Sequence, residues 1–100
     1  MIEYRIRVDE DSYSYTQDEY DTYAAKVTKH NFKYPDWKTA LQDPQTLRET
    51  FIQNAWNAIL DERYKDIKPA QRYVKKLKEC YGYGFLEFYI ESAELNWRRV

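Results

Sequence analysis

Apolar and polar residues alternate at the start of the chain. Ile2, Tyr4, Ile6 and Val8 interleave with Glu3, Arg5, Arg7 and Asp9, the period-two pattern of a strand with one buried face. Asp9-Glu10-Asp11-Ser12 ends it, and Tyr13-Ser14-Tyr15 reads either as a short returning strand or as loop. The period then lengthens. Thr16 and Glu19 stand at capping-box spacing, and Tyr20, Tyr23, Ala24 and Val27 recur at helical intervals. This helix should fade near His30-Asn31. Asp36 is placed to cap a short helix over Trp37 to Leu41.

Asp43-Pro44 is the sharpest signal in the chain. Asp suits the N-cap, Pro suits the first helical position, and Glu49 favours the early turns. The helix is expected to run to about Tyr64. Its apolar positions, among them Leu47, Phe51, Ile52, Ala55, Trp56, Ile59 and Leu60, cover an arc of roughly 220°, wider than a surface helix needs. Packing on two sides is therefore expected. Pro69 should open the last helix, with Tyr73, Val74, Leu77, Cys80 and Tyr81 on one face. Gly82 and Gly84 should stop it. Phe85 to Glu91 reads as a strand with Leu86, Phe88 and Ile90 on one face. Leu95 and Trp97 extend the sheet after a turn at Ser92-Ala93.

The order strand, three to four helices, strand implies a single small α+β domain over residues 1–100. Its helices pack on a small sheet formed by the N- and C-terminal strands. Composition changes one part of that picture. Leu, Ile, Val and Phe make up only a fifth of the chain, and the mean hydropathy is −0.95. Yet 18% of the residues are aromatic, 11 of them Tyr, and the net charge is only −1. Disorder needs poor hydrophobicity together with high net charge, and Tyr rings bury well. The aromatics supply the core material.

Several function classes are disfavoured at once. No apolar run approaches the roughly 20 residues of a membrane helix, and the N-terminus lacks the apolar stretch of a signal peptide. A lone cysteine, Cys80, forms no internal disulfide, so a reducing cytoplasm is the expected compartment. Cys80 and His30 are the only residues of their types. Cys80 is expected as a small buried hydrophobe rather than a nucleophile, and His30 as a favourable group near a helix C-terminus. One Cys and one His do not make a zinc site. An Asp9-started calcium loop fails because Tyr20 stands where the bidentate Glu belongs. No phosphate-cradling glycine motif occurs. No enzyme, metal or cofactor is expected.

What remains is segregated charge. Asp9, Glu10, Asp11, Asp18, Glu19 and Asp21 fall in one stretch without a base, interleaved with Tyr13, Tyr15 and Tyr20. Arg63, Lys65, Lys68, Arg72, Lys75 and Lys76 cluster near the last helix. Such runs are commonly just solvated faces. The functional reading is a small non-enzymatic protein-binding module whose acidic, Tyr-rich surface docks on a partner protein, since Tyr offers large rigid area at low entropy cost. A 100-residue chain of this surface type beginning with Met suits a phage- or mobile-element-encoded inhibitor of a host protein. The alternative is a nucleic-acid-binding module using the basic residues, with Tyr64 or Tyr73 to stack bases. A dipolar surface also permits association with a second copy. Trp56 is expected in the core, and Trp37 and Trp97 over the sheet edge.

Overall fold

The expected strand at the N-terminus forms, and its partner is the strand near the C-terminus. A computed structural model describes residues 1–34, 41–60 and 62–100. Strand β1 (Glu3–Asp9) pairs antiparallel with β2 (Glu87–Ala93), and β2 with the short β3 (Trp97–Arg99), in the order β1-β2-β3. Between β1 and β2 lie three helices among the described residues, α1 (Gln17–Lys33), α2 (Pro44–Ala58) and α3 (Ile67–Glu79). The small α+β domain read from the sequence is the one observed. The short helix expected over Trp37 to Leu41 falls largely outside the described residues.

Register decides which face is buried. Ile6 stands opposite Ile90 and Val8 opposite Phe88, so the apolar sets of both strands point the same way. Helices α2 and α3 cover that face. Ile6, Val8, Ile52, Ala55, Ile59, Ala70, Leu77 and Leu86 form the buried core, and Phe51, Tyr73, Val74 and Tyr83 pack around it. Tyr64 guards the outer edge of β1. Its backbone N–H and C=O exchange 2.8 Å hydrogen bonds with Tyr4, satisfying groups that an open edge would leave bare.

The helix starts follow their caps. The Thr16 hydroxyl accepts from Glu19 N while the Glu19 carboxylate accepts from Thr16 N, closing the capping box. The Asp43 carboxylate accepts from Thr46 N at 2.8 Å, with Pro44 at the first helical position. That bond holds its pKa below the usual value. The last helix begins earlier than Pro69, because Asp66 caps it and Pro69 fits inside the first turn, where its missing N–H costs nothing.

Helix α1 runs slightly past the expected His30-Asn31, to Lys33, whereas the other two helices end earlier than the pattern predicts. Helix α2 stops at Ala58, and Leu60 takes a left-handed φ of 55° and is exposed. The apolar arc therefore closes at Ile59, and Leu60 turns the chain instead of packing. Trp56, expected in the core, is only half-buried. Helix α3 stops at Glu79. Cys80 becomes its exposed C-cap, and Tyr81 is exposed as well. The chain leaves through Gly82 at φ 82°, a conformation that side chains rarely adopt. Cys80 still bonds back to the Lys76 carbonyl, so its exposure comes from its place at the helix end. The sheet's second turn lies at Glu94 to Asn96, not at Ser92-Ala93, which belong to β2.

Helix α1 departs from the layered arrangement. None of its residues is buried, and Phe32 is 91% exposed. The molecule measures 55 × 23 × 20 Å with a radius of gyration of 16.8 Å, against about 13 Å for a compact chain of this length.

Leu77 is fully buried, so Leu77→Ala should lower stability by about 3 kcal/mol. Phe32→Ser should change it by less than about 0.5 kcal/mol. Urea unfolding of both variants against the parent protein checks the contrast.

Candidate functional site

The acidic, Tyr-rich stretch splits into groups with different duties. After β1, a 3-10 turn over Glu10–Ser12 leaves Glu10 and Asp11 exposed. Its backbone is fixed from two sides. Arg48 of α2 donates to the Glu10 carbonyl at 2.9 Å, and the Ser12 hydroxyl donates to the Asp9 carbonyl while accepting from Glu87 N. Ser14 N then donates to the Phe85 carbonyl at 3.0 Å. The segment between β1 and α1 is thus a loop bonded to the start of β2, which settles the reading of Tyr13 to Tyr15.

Tyr13 is structural. Its ring meets Phe51 edge-on at 5.7 Å and lies under the Arg48 guanidinium. Tyr20 is committed too. Its hydroxyl donates to the Gln42 carbonyl at 2.8 Å, while Gln42 N donates to the Tyr23 hydroxyl. The two tyrosines, one helical turn apart on α1, grip the residue that leads into α2.

Tyr15 is placed differently. It meets Phe85 at 4.7 Å with an interplanar angle of 83°, so the two rings form a corner. That corner opens into a groove of about 380 Å³ lined by Tyr15, Glu19, Thr22, Tyr23, Lys26 and Phe85. Glu19, Thr22, Tyr23 and Lys26 share one side of α1 at helical spacing. The hydroxyl of Tyr15 is held above its usual pKa, first by burial, then by the Glu19 carboxylate and the Tyr23 phenol. Both groups therefore act on the Tyr15 hydroxyl. Asp18 and Asp21 stand exposed on the first turns of α1, and Asp21 accepts a hydrogen bond from Gln17.

The basic residues also separate. Lys68, Arg72, Lys75 and Lys76 are exposed along α3, and Lys65 precedes it. Lys78, on the same helix, pairs with Glu87 at 2.7 Å. Arg63 belongs elsewhere. It stacks on Trp97 at 4.9 Å and approaches Glu3 at 3.9 Å. Tyr73, a candidate base-stacking ring, instead packs beside α2 and donates its hydroxyl to the Ala58 carbonyl.

Sequence reasoning missed the outward face of the sheet. Arg5 and Arg63 stack on Trp97 at 4.1 and 4.9 Å, Arg7 on Trp56 at 4.5 Å, and Arg99 on Tyr89 at 4.6 Å. Glu91 accepts from Arg5 at 2.8 Å. The signal was present in the alternating arginines of β1, but their partners come from distant parts of the chain: Glu91 and Trp97 from the C-terminal strands, and Trp56 from α2. This face consumes its own charges and offers little to a ligand.

No family model, curated protein or solved structure matches this chain. Among the described residues no group of His, Cys, Asp and Glu is arranged to hold a metal ion, and no helix is long and apolar enough to cross a membrane.

Two measurements follow. Burial raises the hydroxyls of Tyr13, Tyr15 and Tyr73, and takes Tyr64 to about 12 with help from Glu62. A raised pKa means the folded state keeps protons that the unfolded state releases near about pH 10. Stability should be undiminished below about pH 10 and fall as the pH rises toward Tyr64's folded value of about 12. Urea midpoints across that range check the sign. Cys80, exposed at the end of α3, should react with a thiol reagent in the folded protein at a rate close to that of the unfolded chain.

Proposed function

We propose that this chain is a small protein-binding module whose partner docks on the first turns of α1 and the groove beside them. The observation that carries the reading is a 17-residue helix with no buried residue, projecting from a core that is complete without it. A helix of that length is marginal in isolation, and burial of an apolar face normally sustains it. Here a capping box and the Tyr20–Tyr23 grip on Gln42 hold its first half in place. The exposed acids Asp18 and Asp21 favour a basic partner surface, and Tyr15 and Tyr23 add aromatic area. Inhibition of a host protein would be one use of such a surface. A reducing cytoplasm is the compartment that suits its free thiol.

A second reading rests on a different observation. Lys68, Arg72 and Lys75 are exposed on one helix with no acidic counter-ion among the described residues. Three or four such cations can follow a phosphate backbone. The acidic start of α1 opposes this use, and the hydroxyl of Tyr73 is committed to the Ala58 carbonyl.

Reversing charge at Asp18 and Asp21 (Asp18→Lys with Asp21→Lys) should abolish capture of a protein partner while lowering helix stability only slightly, by about 0.3–1 kcal/mol per site. Glu19 is left alone because it closes the capping box. Capture that survives the double reversal would overturn the proposal. Binding of mixed DNA and RNA that is tight at about 50 mM salt and collapses at about 200 mM would transfer the function to α3.

A further inference from the structure

One side of helix α1 is exposed along its whole length. Tyr20, Tyr23, Ala24, Val27 and Asn31 are half-buried along the other side, whereas Asp18, Asp21, Ala25, Lys29 and Phe32 are exposed. At about 100° per residue those five fall within an arc of about 80°. Phe32, at 91%, is almost wholly in solvent. The charges on this side are sorted. Its acids, Asp18 and Asp21, stand near the start, and its bases, Lys29 and Lys33, near the end. The acids are three positions apart and the bases four, spacings that set like charges side by side and destabilise a lone helix. One turn inward from Asp18, Asp21 and Lys29, where a counter-charge on the same helix would sit, stand Thr22 and Ala25. The ion pairs of the described residues lie elsewhere, at Arg5, Arg7, Arg63 and Lys78. Attraction to the helix dipole is confined to the terminal turns. Those turns include Asp18 and Lys33 but not Asp21 or Lys29.

The pattern is complementary to itself when reversed. An antiparallel second α1, related by a two-fold axis through Ala25, brings its Lys29 opposite Asp21, its Thr28 opposite Thr22 and its Phe32 opposite Asp18, with its Lys33 alongside. Each pairing occurs twice, as an isologous interface requires. Ala25 at the axis is small enough for the helices to approach to about 8 Å. Helical side chains lean toward their own N-terminus, so the ring of Phe32 comes to lie over Thr22 of the second copy. The two cores end up at opposite ends of the helix pair. We propose that two copies of this chain associate through an antiparallel, two-fold pairing of their α1 helices centred on Ala25. A partner bearing one sign of charge would satisfy one end of this face and be repelled by the other, whereas a reversed copy satisfies both. The dimer does not rest on the protein-binding reading. It covers Asp18 and Asp21 and so competes with a partner that docks there.

The test is sedimentation equilibrium of the full chain. One helix pair is a small interface, below about 1,200 Å², so a Kd on the order of 10–100 µM is expected at about 50 mM salt. It should weaken about tenfold or more at about 500 mM salt. Asp18→Lys with Asp21→Lys, and separately Lys29→Glu with Lys33→Glu, should each be monomeric. An equimolar mixture of the two variants should form a dimer at least as tight as the parent's. Ala25→Glu gains Lys29 as a partner one turn along its own helix, so its helix should persist by circular dichroism. It should nonetheless be monomeric, because the substitution sets two carboxylates face to face at the axis. A parent chain still monomeric at about 500 µM protein and about 50 mM salt would overturn the proposal. A dimer that survives Ala25→Glu or either charge reversal would also overturn it, by placing the contact on another surface. Failure of the mixture to associate while both variants remain helical would overturn the pairing. Lys29 and Lys33 serve only the dimer. Capture of a partner by the variant carrying Lys29→Glu and Lys33→Glu therefore reports on the protein-binding reading alone.

Discussion

The antiparallel pairing of β1 with β2 is the constraint on which the rest of the molecule depends. It joins residues at opposite ends of the chain, from Glu3 with Ala93 to Asp9 with Glu87. In that register Ile6, Val8, Phe88 and Ile90 share a face, and that face gives α2 and α3 something to bury against. A slip by one residue would turn Arg5 and Arg7 inward. The opposite face guards against the slip, because Arg5 then loses Glu91 and Trp97. The arginine–aromatic stacks are therefore better understood as a register lock than as a binding surface. Each contributes about 0.5–1 kcal/mol where exposed, a modest amount that gains weight by acting only in the correct alignment.

The groove is a product of the same pairing. Ser12 and Ser14 bond to the backbone at Phe85 and Glu87, just before and at the first residue of β2. Those bonds bring Tyr15 to Phe85, and the capping box that follows sets the direction in which α1 leaves. Glu19 takes part in both events. It finishes the cap through Thr16 and lines the groove that the aromatic corner opens into. Local helix chemistry and long-range strand pairing thus meet at one carboxylate.

Much of the fold was legible because its signals are local. The alternation in β1, the capping box at Thr16, the Asp43-Pro44 start and the glycines after α3 each announce an element within a few residues. Element ends were less legible. Ile59 and Leu60 look alike in sequence, but Leu60 takes a left-handed φ and turns the chain, a choice made by the local dihedrals. Leu77 and Cys80 also look alike as members of an apolar stripe, but Cys80 is the exposed cap at the helix end. The candidate site was half legible. Tyr15 and Glu19 stood out as parts of an acidic, Tyr-rich run. Phe85 and Tyr23 did not, because Phe85 lies far along the chain and reads as strand core, and Tyr23 reads as an ordinary helix position. The same run drew in Tyr13 and Tyr20, whose rings and hydroxyls hold the fold together. Sequence clustering of tyrosines did not separate those that pack from those that present themselves.

The projecting helix also divides the molecule energetically. The sheet with α2 and α3 shares one buried core, whereas α1 contributes no buried residue to it and, among the described residues, is tied to the chain before α2 by Tyr20 and Tyr23. Such a helix opens without disturbing the core, as a separate cooperative unit with its own, smaller opening free energy. Its backbone amides should exchange with solvent while those of β1 and β2 stay protected. A partner that seizes α1 would then supply the order the helix lacks alone, and part of the binding energy would go into holding the far turns in register. Affinity at this surface is in that sense a measure of how much helix the partner has to finish.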